Sequence, residues 1–181
     1  MLELKKELEN IKDSFSRISE IVYQTPVLSS ISINKALKAD ITFKAECLQE
    51  TGSFKLRGAS SAISVLSKEE KSRGVVAFSS GNHAQGIAYA SRELGTSAKI
   101  VMPSDAPKIK IWKTQEYGAE VIFYERDEDN REEIGFSIAK EEGRKLIKPF
   151  DDLNVIYGQG TAALEVMDEV DTKFDMSVVC C

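Results

Sequence analysis

Lys55 has the chemical setting that first draws notice in this sequence. It lies in Thr51-Gly52-Ser53-Phe54-Lys55-Leu56-Arg57-Gly58, after a turn at Thr51-Gly52. The pattern predicts a helix from Phe54 to about Leu66 with Ser53 able to cap it, so Lys55 falls in the first turn. The positive end of the helix dipole disfavours an ammonium there. Burial pushes the same way and lowers the amine pKa. A neutral amine is what Schiff-base chemistry needs. Seen alone, the motif fits an exposed surface lysine better.

A second segment, Phe78-Ser79-Ser80-Gly81-Asn82-His83-Ala84-Gln85-Gly86, falls at a predicted strand-to-helix junction. Backbone N–H groups at such a helix start bind anions, and small residues let a carboxylate or phosphate approach closely. An ordinary capped turn is the competing reading. The glycine spacing matches neither the phosphate loop that ends in Lys-Ser/Thr nor the GxGxxG dinucleotide fingerprint. His83, the only histidine, stands three residues after Ser80. No GxSxG elbow surrounds a serine, so a Ser80 hydrolase lacks its frame. One histidine also leaves no multi-histidine metal site. Gly158-Gln159-Gly160-Thr161 is predicted to precede a helix as its flexible entry.

The chain that must position these residues has 181 of them. At about 150 residues per domain this is one domain plus roughly 30. Hydrophobic residues at 42% and charged residues at 29% are ordinary for a globular protein, which excludes disorder and collagen-like repeats. No apolar run approaches the ~20 residues of a membrane-spanning helix. Lys plus Arg total 24 against 29 Asp plus Glu, a net charge of −5. No basic face is visible, so no nucleic-acid partner is expected. Cys47, Cys180 and Cys181 form neither a spaced disulfide framework nor a CxxC zinc pair. The N-terminus lacks the apolar core of a signal peptide, and the expected location is cytoplasmic.

Amphipathic spacing predicts a first helix over residues 1–20, with Leu4, Leu8, Ile11, Phe15 and Ile18 near one face. Ile41 to Ala45 alternates as a strand. Strands are then predicted at Gly74–Phe78, Ala98–Met102, Glu120–Tyr124 and Lys145–Lys148. The helices between them are His83–Leu94, Pro107–Tyr117 and Asn130–Glu142, the last two stopped by Gly118 and Gly143. A helix over Thr161–Val170 and a strand over Met176–Cys181 complete the series. Alternating strands and helices imply βαβ units and parallel sheets, with ligands beyond the carboxyl ends of the strands.

Together these segments resemble the fold-type II pyridoxal-phosphate enzymes, in their threonine dehydratase and serine racemase branch. The resemblance runs from about Thr25 to Cys181. It rests on Thr25-Pro26-Val27-Leu28, Glu50 to Ala59, Ser79 to Gly86, Met102-Pro103, Ala106-Pro107-Lys108, Gly118 to Val121, Pro149 to Asp152 and Gly158 to Thr161. It implies an α/β fold of open parallel sheets with flanking helices, the tryptophan synthase β-like architecture. The implied division is 1–71 as the first part of a large cofactor-binding domain, 72–151 as a small α/β domain, and 152–181 as the return to the large domain. In the family, the phosphate-cradling glycine loop lies past the strand aligned with Ser177 to Cys181.

The resemblance also implies roles. Lys55 would hold pyridoxal 5′-phosphate as an internal aldimine and move the substrate α-proton. Phe54 would pack beside the pyridine ring, and Asn82 would hydrogen-bond the phenolic oxygen. Ser79, Ser80, Gly81 and His83 would grip the substrate carboxylate. In racemases of this branch the position of Ser80 supplies the acid/base on the face opposite the lysine. The implied activity is dehydration of serine or threonine to a 2-keto acid and ammonia, with racemisation permitted by Ser80. A small amino acid is the implied partner, and a homo-oligomer is implied for full-length members. The alternative reading is a truncated, non-catalytic fragment acting as a binding module or as one half of a split enzyme.

Overall fold

The first 50 residues build a frame of short elements. A computed structural model describes residues 2–171 and 173–179. Helix α1 (Leu2–Ile18) is followed by strand β1 (Val27–Ser29), helix α2 (Ile31–Leu37), strand β2 (Thr42–Lys44) and a 3₁₀ turn at Glu46–Leu48. β1 and β2 pair antiparallel, Val27 opposite Lys44. Neither α2 nor the 3₁₀ turn is anticipated by apolar periodicity, because both are too short to carry one. The apolar face of α1 is only half used: Ile18 is buried, while Leu4 and Leu8 are exposed.

Helix α3 (Lys55–Ser64) and helix α4 (Lys68–Arg73) lead into the main sheet. The N-cap of α3 is Phe54, not Ser53, and no side chain caps it. Ser53 is buried with its hydroxyl unpartnered. α4 was not predicted as a helix, although Ser67 and Glu70 close a capping box at its start.

The sheet is built from β3 (Val75–Phe78), β4 (Ala98–Pro103), β5 (Glu120–Tyr124) and β6 (Lys145–Leu146). Helices α5 (Asn82–Glu93), α6 (Lys108–Glu116) and α7 (Arg131–Glu142) connect them. All pairings are parallel and the order is β5-β4-β3-β6. β3 is buried at every residue, as expected of a parallel strand covered on both faces. Val75 and Ala77 join Ile100, Met102 and Ile87 in one core, while Val76 and Phe78 join Val101, Ile134 and Ile138 in another. That alternation follows from the two-residue period of a strand. α7 ends on Gly143, whose φ of 65° is open to glycine without strain.

Helix α8 (Leu153–Glu169) starts eight residues earlier than the predicted Thr161. Asp152 caps it, its carboxylate accepting from the N–H groups of Asn154 and Val155. Gly158 to Thr161 therefore lie inside a helix rather than before one. Their small size serves close packing: a Cβ on Gly158 would stand 2.7 Å from the Gly58 Cα and would also meet the Arg57 carbonyl. The strand expected over Met176–Cys181 is not seen in its described part. Met176 to Val179 carry no strand, and Met176, Val178 and Val179 are exposed. Cys180 and Cys181 lie outside the described residues. No described helix is long and apolar enough to cross a membrane.

Candidate active site

Strand order places the site. The chain steps from β3 to β4 to β5 in one direction, then returns to β6 on the other side of β3. The crevice expected at such a reversal, beyond the carboxyl ends of β3 and β6, is the usual ligand position in open α/β sheets. The Ser79–His83 segment leaves β3 there, and Ile147 to Pro149 leave β6 there.

Lys55, the first residue of α3, comes to the same crevice. Its Nζ donates to the Pro149 carbonyl at 3.4 Å and lies 5.0 Å from the centre of the Phe54 ring. The side chain is half-buried with no carboxylate paired to it, and burial lowers its pKa from the ordinary lysine value. This is the direction expected from the sequence. α3 reaches α5 closely because α5 carries Gly86, where a Cβ would stand 3.1 Å from both the C and O of Lys55.

The start of α5 is short of partners. Gly81 is the N-cap and no side chain caps the helix. The Gly81 N–H donates to Ser79 Oγ at 3.2 Å, and Ser79 keeps its own N–H on the Val101 carbonyl of β4. Ser80 is half-buried in the turn. The first-turn N–H groups of a helix have no intrahelical acceptor, so they point at whatever anion enters.

His83 is only 3% exposed, and its Nε2 lies 3.4 Å from the Ile147 carbonyl. Its pKa is lowered to about 4, chiefly by burial and in small part by the nearby Lys55 charge, against the opposing bond to Ile147. The ring is therefore neutral at pH 7. Nε2 carries the hydrogen donated to Ile147, and Nδ1 is left as a buried acceptor without a partner. A gripping role for His83 thus belongs to its backbone N–H, since a neutral ring offers an anion no charge.

Asn82 sits at the first position of α5, and its Oδ1 accepts from Lys110 Nζ at 2.6 Å. The same ammonium donates to Gln85 Oε1 at 3.2 Å. No sequence signal singled out Lys110 from its neighbours Lys108 and Lys113.

Two residues beyond Lys55, Arg57 is fully buried in a network that the sequence did not reveal. Nε and Nη2 bond Glu46 at 2.9 and 2.8 Å, and Nη1 and Nη2 bond Glu165 at 2.7 and 2.8 Å. Thr161 Oγ1 and the Tyr23 carbonyl accept further bonds at 3.2 Å. Lys44 Nζ stands 2.7 Å from Glu165 and 3.1 Å from Glu169. Burial alone would lower the Arg57 pKa, but its bonds to Glu46 and Glu165 outweigh it and the pKa is raised. For Glu46, burial pushes the pKa up, and Arg57 and Thr25 more than reverse this. The network clamps β2, α3 and α8 together directly behind the lysine. Among the described residues no group of three or more His, Cys, Asp or Glu could hold a metal ion.

A half-buried lysine of lowered pKa, an aromatic ring beside it and an uncapped helix start across a switch-point crevice fit an enzyme that works through a carbonyl cofactor. Comparison with known proteins narrows that class. Residues 18–181 match the model of the "Pyridoxal-phosphate dependent enzyme" family. The L-threo-3-hydroxyaspartate ammonia-lyase of Saccharomyces cerevisiae is 50% identical over 161 residues, covering 89% of this chain and 49% of that protein. The serine racemase of Schizosaccharomyces pombe is 44% identical over 172 residues, covering 95% and 53%. The crystal structure of serine racemase from Dictyostelium discoideum superposes with a TM-score of 0.86 at 44% identity, covering 91% of this chain and 54% of that one.

The chain belongs to the pyridoxal-phosphate-dependent enzyme family, and its fold is the fold-type II architecture. Its relatives include racemases and ammonia-lyases, and it spans about half the length of those curated relatives.

Proposed function

We propose that this chain carries the lysine and the carboxylate-binding turn of an ammonia-lyase acting on serine- or threonine-type 3-hydroxy amino acids. The observation that supports it most is the convergence of Lys55 and His83 on one segment, through the carbonyls of Pro149 and Ile147. It brings a depressed amine to the uncapped start of α5. The names of the relatives support the same class of substrate.

The residues divide the work. Lys55 would hold the cofactor through its Nζ, Phe54 would lie beside the ring, and Asn82 would donate to the phenolic oxygen. When bound, pyridoxal 5′-phosphate supplies an electron sink for the electrons left by the departing α-proton. Lys55 Nζ would be the group that accepts that proton, since burial lowers its pKa and so favours the neutral amine that a base needs. The N–H groups around Ser79, Ser80, Gly81 and His83 hold the substrate carboxylate and so fix which bond breaks. Loss of the 3-hydroxyl and hydrolysis then yield a 2-keto acid and ammonia. Ser80 would be the residue to return a proton on the opposite face in a racemisation.

The test is chemical labelling. Adding pyridoxal 5′-phosphate, reducing with borohydride and mapping the adduct by mass spectrometry should place it on Lys55. An adduct absent from Lys55 overturns the proposal.

A second reading, a binding module or one half of a split enzyme, is favoured by exposed apolar residues on β1, α2 and β2. Leu28, Ile31, Leu37 and Phe43 all face solvent, Ile31 at 90% exposure. Steady turnover of serine or threonine by the 181-residue chain overturns that reading.

A further inference from the structure

We propose that Lys110 is a positioning residue for Asn82, turning its amide so that Oδ1 faces α6 and the Nδ2 hydrogens face the crevice. The inference rests on the reading above, in which Asn82 donates to the cofactor's phenolic oxygen. It adds a residue of α6 on which that donation depends.

A primary amide is ambiguous by itself. Its oxygen and nitrogen are nearly the same size, and a half-turn exchanges acceptor for donor. An ammonium removes the ambiguity because it has three donors and no acceptor. Lys110 Nζ at 2.6 Å from Asn82 therefore admits only the oxygen. The bond is charge-assisted and among the shorter ones in the molecule, which makes the wrong orientation costly.

Lys110 is itself held in place. Its second acceptor, Gln85 Oε1 at 3.2 Å, lies three residues after Asn82 on the same face of α5. Gln85 is only 2% exposed, so it is a fixed post rather than a mobile surface group. The backbone is anchored as well, since Thr114 Oγ1 donates to the Lys110 carbonyl at 2.8 Å. The ammonium thus bridges two amides and cannot follow Asn82 if the latter turns.

The consequence is electrostatic. A donor aimed at the phenolic oxygen favours its ionised form, and an amide oxygen aimed there would oppose it. Without Lys110, both orientations of Asn82 become accessible.

The experiment compares K110M with K110R in the full chain. With pyridoxal 5′-phosphate as the probe, K110M should bind about tenfold more weakly, the size of one lost charge-assisted bond. Its absorption should shift from the ionised-phenol band toward the neutral one. K110R keeps a donor-only head and should retain both properties to within about twofold. In an N82A background, K110M should have no further effect. Unchanged affinity and bands in K110M overturn the inference, and so does an effect that persists in full with N82A.

Failure of the functional reading is separately visible. If wild-type protein gives no Lys55 adduct, that reading falls, and the Asn82 side-chain amide signals in ¹⁵N-labelled cofactor-free protein decide the positioning alone. A shift of those signals in K110M supports it, and their invariance overturns it.

Discussion

Lys55 and Arg57 stand two residues apart on one helix and meet opposite surroundings. Arg57 points back into the packing of β2, α3 and α8, where Glu46 and Glu165 use all three of its nitrogens. Lys55 points into the crevice, where a single backbone carbonyl at 3.4 Å accepts from it. Burial acts on both cations in the same direction. Carboxylates reverse it for Arg57 and are withheld from Lys55. One side of the helix therefore keeps its charge and carries stability, and the other has its amine shifted toward the neutral form.

The largest test of that contrast is R57A. It would leave Glu46 without its ion-pair partner and Glu165 with Lys44 alone, and removing one partner of a buried pair costs about 3–5 kcal/mol. Urea denaturation should register that loss, and a cost below about 1 kcal/mol would break the comparison.

His83 extends the contrast to pH. Its folded pKa of about 4 lies below the ordinary histidine value of 6.5. The unfolded chain then binds a proton that the folded one refuses. Stability from this group is whole above pH 6.5 and is lost as pH falls toward 4. The shift corresponds to about 3 kcal/mol. Unfolding measured across that range should show the loss in the wild type and not in H83L.

G158A probes the contact that seats α8 on α3 behind Arg57. The added methyl would stand 2.7 Å from the Gly58 Cα and from the Ser61 Cβ. Overpacking of this kind costs about 1–3 kcal/mol, read as a lowered denaturation midpoint at unchanged slope.

The smallest expected effect is on the chemical side. K55M removes a cation that has no ion-pair partner, so stability should change by less than about 0.5 kcal/mol. The borohydride adduct should nevertheless disappear. A K55M cost approaching that of R57A would show that the two sides of the helix do not differ as described.

Much of the secondary structure was legible beforehand. The strands at Glu120–Tyr124 and Ala98–Met102, the second one residue longer in the structure, and the helix stops at Gly118 and Gly143 follow from local periodicity and backbone preference. The errors have local causes too. Ser53 has the right residue type for a cap, but its side chain is drawn into the interior. Gly158 and Gly160 suggested a helix entry, while Asp152 begins the helix earlier and the glycines serve packing. The Ser67–Glu70 capping box is a local signal for α4 that the apolar pattern does not carry.

The sequence by itself determined the element types, the position of Lys55 in a first helical turn, and the small-residue start of α5. These depend on bonds and side-chain spacing within a few residues. Tertiary structure alone decided the crevice between β3 and β6, the reach of Lys55 to Pro149 across 94 residues, and the partners of Arg57. It also decided that Lys110 would meet Asn82. Such contacts depend on strand order and on how closely helices approach. Local patterning leaves both open, because many chain paths satisfy the same helices and strands.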